Sequence, residues 1–109
     1  MNICSDMKIK AAPNRISQRD AAQLAELFSA LADPSRVRIL SAIQDEEMSV
    51  GDIAGEIGIS ESAVSHHLRG LRMMRLVRTR KDGREVYYTL DDEHVSDLFQ
   101  RGLEHIRHG

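Results

Sequence analysis

Near the end of the chain, Asp92 and His94 are followed, after ten intervening residues, by His105 and His108. Imidazole and carboxylate groups are good zinc ligands, and four of them fill a tetrahedral shell. On a helix at 100° per residue the three histidines of this set fall within a sector of about 60°, so they share a face. They cannot share an ion within one chain, because the helix from His94 to His105 spans about 16 Å. Two copies of that helix, packed antiparallel across a two-fold axis, bring Asp92 and His94 of one chain beside His105 and His108 of the other, and symmetry makes the site twice. The adjoining stripe of Val95, Leu98, Phe99, Gly102, Leu103 and Ile106 offers an apolar face for such a dimer, with Gly102 permitting close approach. A plainer reading of the same residues stays open: Asp92 as a helix N-cap, with His105 and His108 as cations favoured at a helix C-terminus. The two readings predict different responses to added metal.

A second set of residues has the chemistry of DNA contacts. Glu61, Ser62, Ser65, His66 and Arg69 lie on one face of a helical pattern whose other face carries Val64, Leu68 and Leu71. Short hydroxyls and His reach base edges, and Arg forks onto guanine. Glu61 is the awkward member, since a carboxylate repels phosphate, although it accepts from cytosine. Between residues 69 and 84 stand seven basic residues, Arg69, Arg72, Arg75, Arg78, Arg80, Lys81 and Arg84, against Asp82 as the one acid. Arg80, Lys81 and Arg84 are therefore expected at backbone phosphates. The formal charge of −2 gives no general expectation of nucleic acid; its uneven distribution does, with acids concentrated in 45–61 and 91–104. A solvated polar face explains any one of these residues, and only their coincidence points to DNA.

These residues need elements to hold them. From a capping Ser17, Leu24, Leu27, Phe28 and Leu31 recur at helical spacing; Asp33-Pro34 opens a second helix through Val37, Leu40 and Ile43. Ser49 precedes Val50, Ile53, Ala54 and Ile57, which stop at Gly58, and Ser60 then caps the helix of Val64, Leu68 and Leu71. Two short helices joined by a tight turn containing Gly form a helix-turn-helix, whose second helix enters the major groove. The β-type runs 76–80 and 85–90 flank Lys81-Asp82-Gly83-Arg84, a strong hairpin signal. A basic hairpin in that place is a wing, reaching phosphates or the minor groove. Asp91 or Asp92 caps the final helix.

The expected fold is therefore mainly α with a β-hairpin: a winged helix-turn-helix over 17–108, preceded by a mobile N-terminal arm over 1–16. The 109 residues suit one domain, and 41% hydrophobic content with 4% aromatics and no Trp suits a core of aliphatic side chains between helices. The lone Cys4 excludes an internal disulfide. With nothing resembling a signal peptide or membrane span, the expected location is a reducing cytoplasm.

Three stretches together resemble the ArsR/SmtB family of metal-responsive bacterial repressors: residues 32–40 (ADPSRVRIL), 62–68 (SAVSHHL) and the wing end 85–90 (EVYYTL). The resemblance spans nearly all of 17–108. It implies a homodimer with terminal helices at the interface, which adds Leu24 to the stripe above, binding an imperfect inverted repeat of operator DNA as a repressor. It also implies the ligand set of the family's zinc sensors, Asp-x-His, ten residues, then His-x-x-His, which Asp92, His94, His105 and His108 meet at every position. The family's other site, a Cys-x-Cys for thiophilic ions, is not matched: Ser49 and Gly51 stand where the thiolates would be. Imidazole with carboxylate favours zinc, with cobalt as a substitute. Coordination needs neutral imidazoles, so the response should weaken as pH falls through about 6.5.

Three other functions are weighed against this one. A winged-helix regulator with no metal input, answering redox state or a small molecule, would show DNA affinity indifferent to metal. A zinc hydrolase is disfavoured because a full ligand shell leaves no position for water and no activated-nucleophile pattern is present, so no enzyme is expected. A dimeric module with purely structural zinc would lose stability and DNA binding on chelation.

Overall fold

The computed structural model describes residues 15–108, arranged in order as α1 (Gln18–Leu31), α2 (Pro34–Ala42), β1 (Met48–Ser49), α3 (Val50–Ile57), α4 (Glu61–Met73), β2 (Val77–Asp82), β3 (Glu85–Leu90) and α5 (Glu93–His108). Cys4 and most of the arm expected over 1–16 lie outside the described residues; Arg15 and Ile16 are exposed and precede the first cap.

Side-chain caps start the helices where the sequence predicts them. Ser17 accepts from the amide of Asp20, Ser60 from that of Ala63, and Asp33 from those of Ser35 and Arg36 with Pro34 at the first helical position. At α3 the cap is reciprocal: the Ser49 hydroxyl accepts from the Asp52 amide, and the Asp52 carboxylate accepts from the Ser49 amide. Gly58 ends α3 in the left-handed region at φ 76°, where a side chain would be strained. Helix α4 ends differently. Arg75 sits at φ 58°, its amide bonds the Arg72 carbonyl, and the Leu76 amide bonds the Leu71 carbonyl. That is the Schellman pattern with Arg where Gly is usual, a conformation that costs an L-residue about 1–2 kcal/mol.

The chain then enters an antiparallel sheet of order β1-β3-β2. In the hairpin Val77 pairs with Leu90 and Asp82 with Glu85, which leaves Gly83 and Arg84 as the turn. The corner is one residue later than Asp-Gly suggests: Asp82 is the last strand residue, and Gly83 supplies the positive φ of 64°. Strand β1 was not expected from the sequence. Its two residues pair Met48 with Tyr88 and Ser49 with Tyr87, fastening the start of α3 to the wing.

The core lies between α2, α3 and α4, with Ile39, Leu40, Ile43, Ile53, Val64, Leu68 and Leu71 fully buried. Val77 and Leu90 close it from the sheet, Leu76 from the turn just ahead of β2, Ala30 from α1 and Val95 from α5. On α2 Leu40 is buried as expected and Ile39 joins it, whereas Val37 is 39% exposed. Truncating one of the buried Leu or Ile side chains to Ala costs about 2–5 kcal/mol, a large part of a small domain's stability. The outer helices are much less engaged. Leu24 and Phe28 of α1 and Leu98 and Ile106 of α5 stand exposed, Ile106 at 71%.

Candidate nucleic-acid interface and metal centre

Helix α4 buries Val64, Leu68 and Leu71 and turns Glu61, Ser62, Ser65, His66 and Arg69 outward, all exposed. The core set thus fixes by periodicity which side chains are offered to a groove. Arg72 and Met73 extend that face. With Ser65, Arg69 and Tyr88 of β3 they line a groove of ≈ 480 Å³ between the helix and the wing. Arg72 belongs to the basic cluster read from the sequence, whereas Tyr88 joins the surface only through the sheet. Glu61 leans on the first turn of α3: its Oε2 lies 3.6 Å from the position a Cβ on Gly51 would take.

The wing is less uniformly positive than its composition. Lys81 and Arg84 are exposed at the tip, as expected. Arg80, midway along the hairpin and opposite Tyr87, is held instead by Glu47: Nε donates to Glu47 Oε2 at 3.0 Å and Nη2 donates to Oε1. Its guanidinium also stands 5.1 Å over the ring of Tyr87. The hydrogen bond from Arg80 holds the Glu47 carboxyl below its ordinary range, against a smaller desolvation effect. Arg78 donates to the carbonyl of Asp91 at 3.3 Å. Glu47 is the residue that sequence reading passed over here; it lies 33 positions from its partner, with no local signal to link them.

Helix α5 presents Asp92 just before its start and His94, His105 and His108 along its length, the histidines all exposed. Asp92 is an N-cap: its Oδ1 accepts from the amides of His94 at 2.9 Å and Val95 at 3.3 Å. Its other oxygen, Oδ2, lies 3.4 Å from His94 Nδ1, and this imidazole contact is the main cause that lowers the Asp92 pKa. This 3.4 Å is the ordinary separation of a carboxylate–imidazole pair, and it also lies near the spacing of about 3.3 Å between donor atoms in a tetrahedral shell with bonds of 2.0–2.1 Å. Capping occupies Oδ1 of Asp92, and Oδ2 is the oxygen that faces His94. Among the described residues no three His, Cys, Asp or Glu side chains of one protomer gather as a metal site. A complete shell needs donors from elsewhere. The donor chemistry fits zinc, and the His94 side chain, paired with Asp92, is 94% exposed.

Beside these donors, α5, α2 and the end of α1 enclose an apolar groove of ≈ 290 Å³, lined in part by Val37, Leu98, Phe99, Gly102, Leu103 and Ile106. Leu24 is exposed on α1 at 42%. Val95, expected on the outward stripe, is corrected: at 9% exposure it packs into the protomer's own core, where the first turn of α5 meets the sheet. Ser49, at the position of a thiolate in the unmatched Cys-x-Cys motif, is buried and occupied in capping α3.

Comparison with known proteins places this architecture among transcriptional regulators rather than enzymes. Residues 33–79 match the model of the bacterial regulatory protein family arsR. The chain is 50% identical over 95 residues to a "Transcriptional repressor SmtB homolog" of Synechocystis, covering 87% of this chain and 72% of that protein. It is 38% identical over 101 residues to a "Cadmium resistance transcriptional regulatory protein CadC homolog" of Staphylococcus aureus, covering 92% and 84%. Among solved structures, a homodimeric winged helix-turn-helix DNA-binding domain from Mycobacterium bovis superposes with a TM-score of 0.76 at 31% identity, covering 85% of this chain and 89% of that one. Reduced HlyU from Vibrio cholerae does so with a TM-score of 0.70 at 36% identity, covering 76% and 87%. No helix among the described residues is long and apolar enough to cross a membrane.

Proposed function

The chain belongs to the arsR family of bacterial regulatory proteins, and from that premise we propose that it is a cytoplasmic, metal-responsive repressor, a homodimer that leaves its operator when zinc, or cobalt in its place, binds between two copies of α5. The observation that carries this reading is the layout of α5: a carboxylate and imidazole pair at one end, two imidazoles at the other, and an exposed apolar flank between them. An antiparallel copy pairs the two ends, so Asp92 and His94 meet the partner copy's His105 and His108 while Leu98, Phe99, Gly102, Leu103 and Ile106 cover one another. The ion supplies a link between the two last helices that neither helix provides alone.

The protein side of the mechanism follows from where α4 stands. Its outward face, Ser62, Ser65, His66 and Arg69 with Glu61 at its head, reads base edges, and Lys81 and Arg84 meet phosphates beside it. Two such helices fit an imperfect inverted repeat only at one spacing and angle. A dimer held by α1 and α5 sets that spacing, so a constraint on α5 shifts the population toward geometries that no longer fit both half-sites. The coupling is reciprocal: operator DNA weakens metal affinity by the same factor. A ligating imidazole usually donates its second N–H to an acceptor, and the carbonyls around Arg72–Arg75, at the strained end of α4, are the candidates for that route.

The test is operator affinity at fixed salt with zinc and with chelator. A large fall with zinc is expected, and the His94→Ala chain should bind the operator but no longer release it. The likeness to reduced HlyU favours a second reading, a regulator of the same fold with no metal input. Operator affinity indifferent to zinc and chelator would select it.

A further inference from the structure

Arg36, in the first turn of α2, joins three parts of the molecule. Its Nη1 donates to the carbonyl of Ala30 in the last turn of α1 at 3.2 Å. Its Nε donates to Nδ1 of His67 on α4 at 3.3 Å. The guanidinium lies against Gly70, one turn further along α4, where a Cβ would stand 2.9 Å from Nη2 and 3.1 Å from Cζ. A side chain at position 70 would require the guanidinium to shift from this place. The same turn of α2 is anchored by Asp33, which caps the amides of Ser35 and Arg36. Neither Arg36 nor His67 faces the DNA-reading side, and both are half-buried.

We infer that Arg36 is a positioning residue: through Ala30, His67 and the bare face of Gly70 it sets the angle between α1 and the recognition helix α4, and so the fit of two recognition helices to an inverted repeat. The inference rests on the dimeric DNA-binding reading above. Two hydrogen bonds from one planar, always charged group hold both helices to one rigid fork, which Lys does not reproduce. If the angle relaxes, each α4 still meets phosphates through unchanged basic groups, but two base-reading faces no longer arrive in register. Sequence preference falls while non-specific affinity persists.

The experiment uses the full chain and an inverted repeat selected by the wild-type protein from randomised duplexes, compared with a scrambled duplex at one salt concentration. Gly70→Ala and Arg36→Lys both retain the charge; each is expected to lower the ratio of repeat to scrambled affinity about tenfold, with scrambled affinity within about twofold of the parent. His67→Leu should do the same, whereas His67→Gln, which keeps an acceptor, should restore the ratio. The Nε–H proton of Arg36 should exchange slowly with solvent in the parent and in His67→Gln, and quickly in His67→Leu. The His67 pair decides the matter if Gly70→Ala does not fold. A parent with clear preference and a His67→Leu chain that keeps it in full would overturn the inference alone. A parent with no preference for any repeat would remove the DNA reading beneath it.

Discussion

Arg80 belongs to a basic cluster and yet offers DNA little net charge, because Glu47 grips its guanidinium from the segment ahead of β1. The pair is solvent-exposed, with side chains 52% and 38% accessible, so it adds little to stability. Its effect is on the field at the wing. Replacing Glu47 with Gln leaves Arg80 only the longer contact with Asp82, at 3.9 Å, and removes one negative charge from beside the wing. The expected result is tighter binding to non-specific duplex and a plot of log affinity against log salt steeper by about one unit, with the melting temperature little changed. An unaltered salt slope would mean that Arg80 does not face the DNA backbone at all. His94 provides the complementary case, a residue whose replacement should alter metal-induced release and leave the phosphate contacts intact.

At the scale of elements, the helix starts carry most of the local information. Asp33 illustrates the energetics through its pH dependence. Its carboxyl is lowered chiefly by the hydrogen bond from the Arg36 amide, opposed by desolvation and aided by the Ser35 amide and the nearby His67 and Arg36. A depressed folded-state value means that the ionised cap stabilises α2 above the ordinary carboxylate value of about 4, and that this contribution disappears as pH falls through the lower folded value. Asn caps a helix nearly as well and does not titrate. The melting temperature of Asp33→Asn, compared with the parent from pH 6 to pH 2, should therefore differ by a constant amount at the upper end, with the parent's relative advantage shrinking in acid. Glu47 and Asp92 have the same sign of shift and are common to both chains, so the difference isolates Asp33. A difference that stays constant across the whole range would assign the cap no ionic component.

For the whole molecule, the exposed Leu98 and Ile106 of α5 and the exposed Leu24 and Phe28 of α1 are among the large apolar side chains that a single protomer leaves unburied. Burying such side chains is worth roughly 25 cal/mol per Å² of apolar surface, which would favour the proposed second copy covering them. Ile106→Glu places a charge at one end of the proposed apolar contact, beside His105, at a position 71% exposed in the protomer, so the protomer itself should still fold. Sedimentation should then report a monomer, and affinity for the inverted repeat should collapse toward that of one half-site. A dimer that survives this substitution would move the interface away from α5. Zinc should also fail to dissociate the monomer from a half-site, because the donors of α5 are then separated from their counterparts.

Local signals were enough to place every helix and the wing. Capping side chains, Pro34 after Asp33, Gly58 past α3 and the spacing of Val64, Leu68 and Leu71 act over four residues or fewer, and such short-range chemistry is written directly in the chain. The reading face of α4 followed because a known buried face determines its opposite. Pairings between distant residues did not follow. Strand β1, the Glu47–Arg80 grip and the Arg36–His67–Gly70 contact join residues 31 to 40 positions apart, and no periodicity encodes a partner at that range. The outer helices show the limit most clearly. An apolar stripe about 100° wide states that a helix is covered on one side, and only the packing of this fold decided that Val95 meets its own core while Leu98 and Ile106 do not.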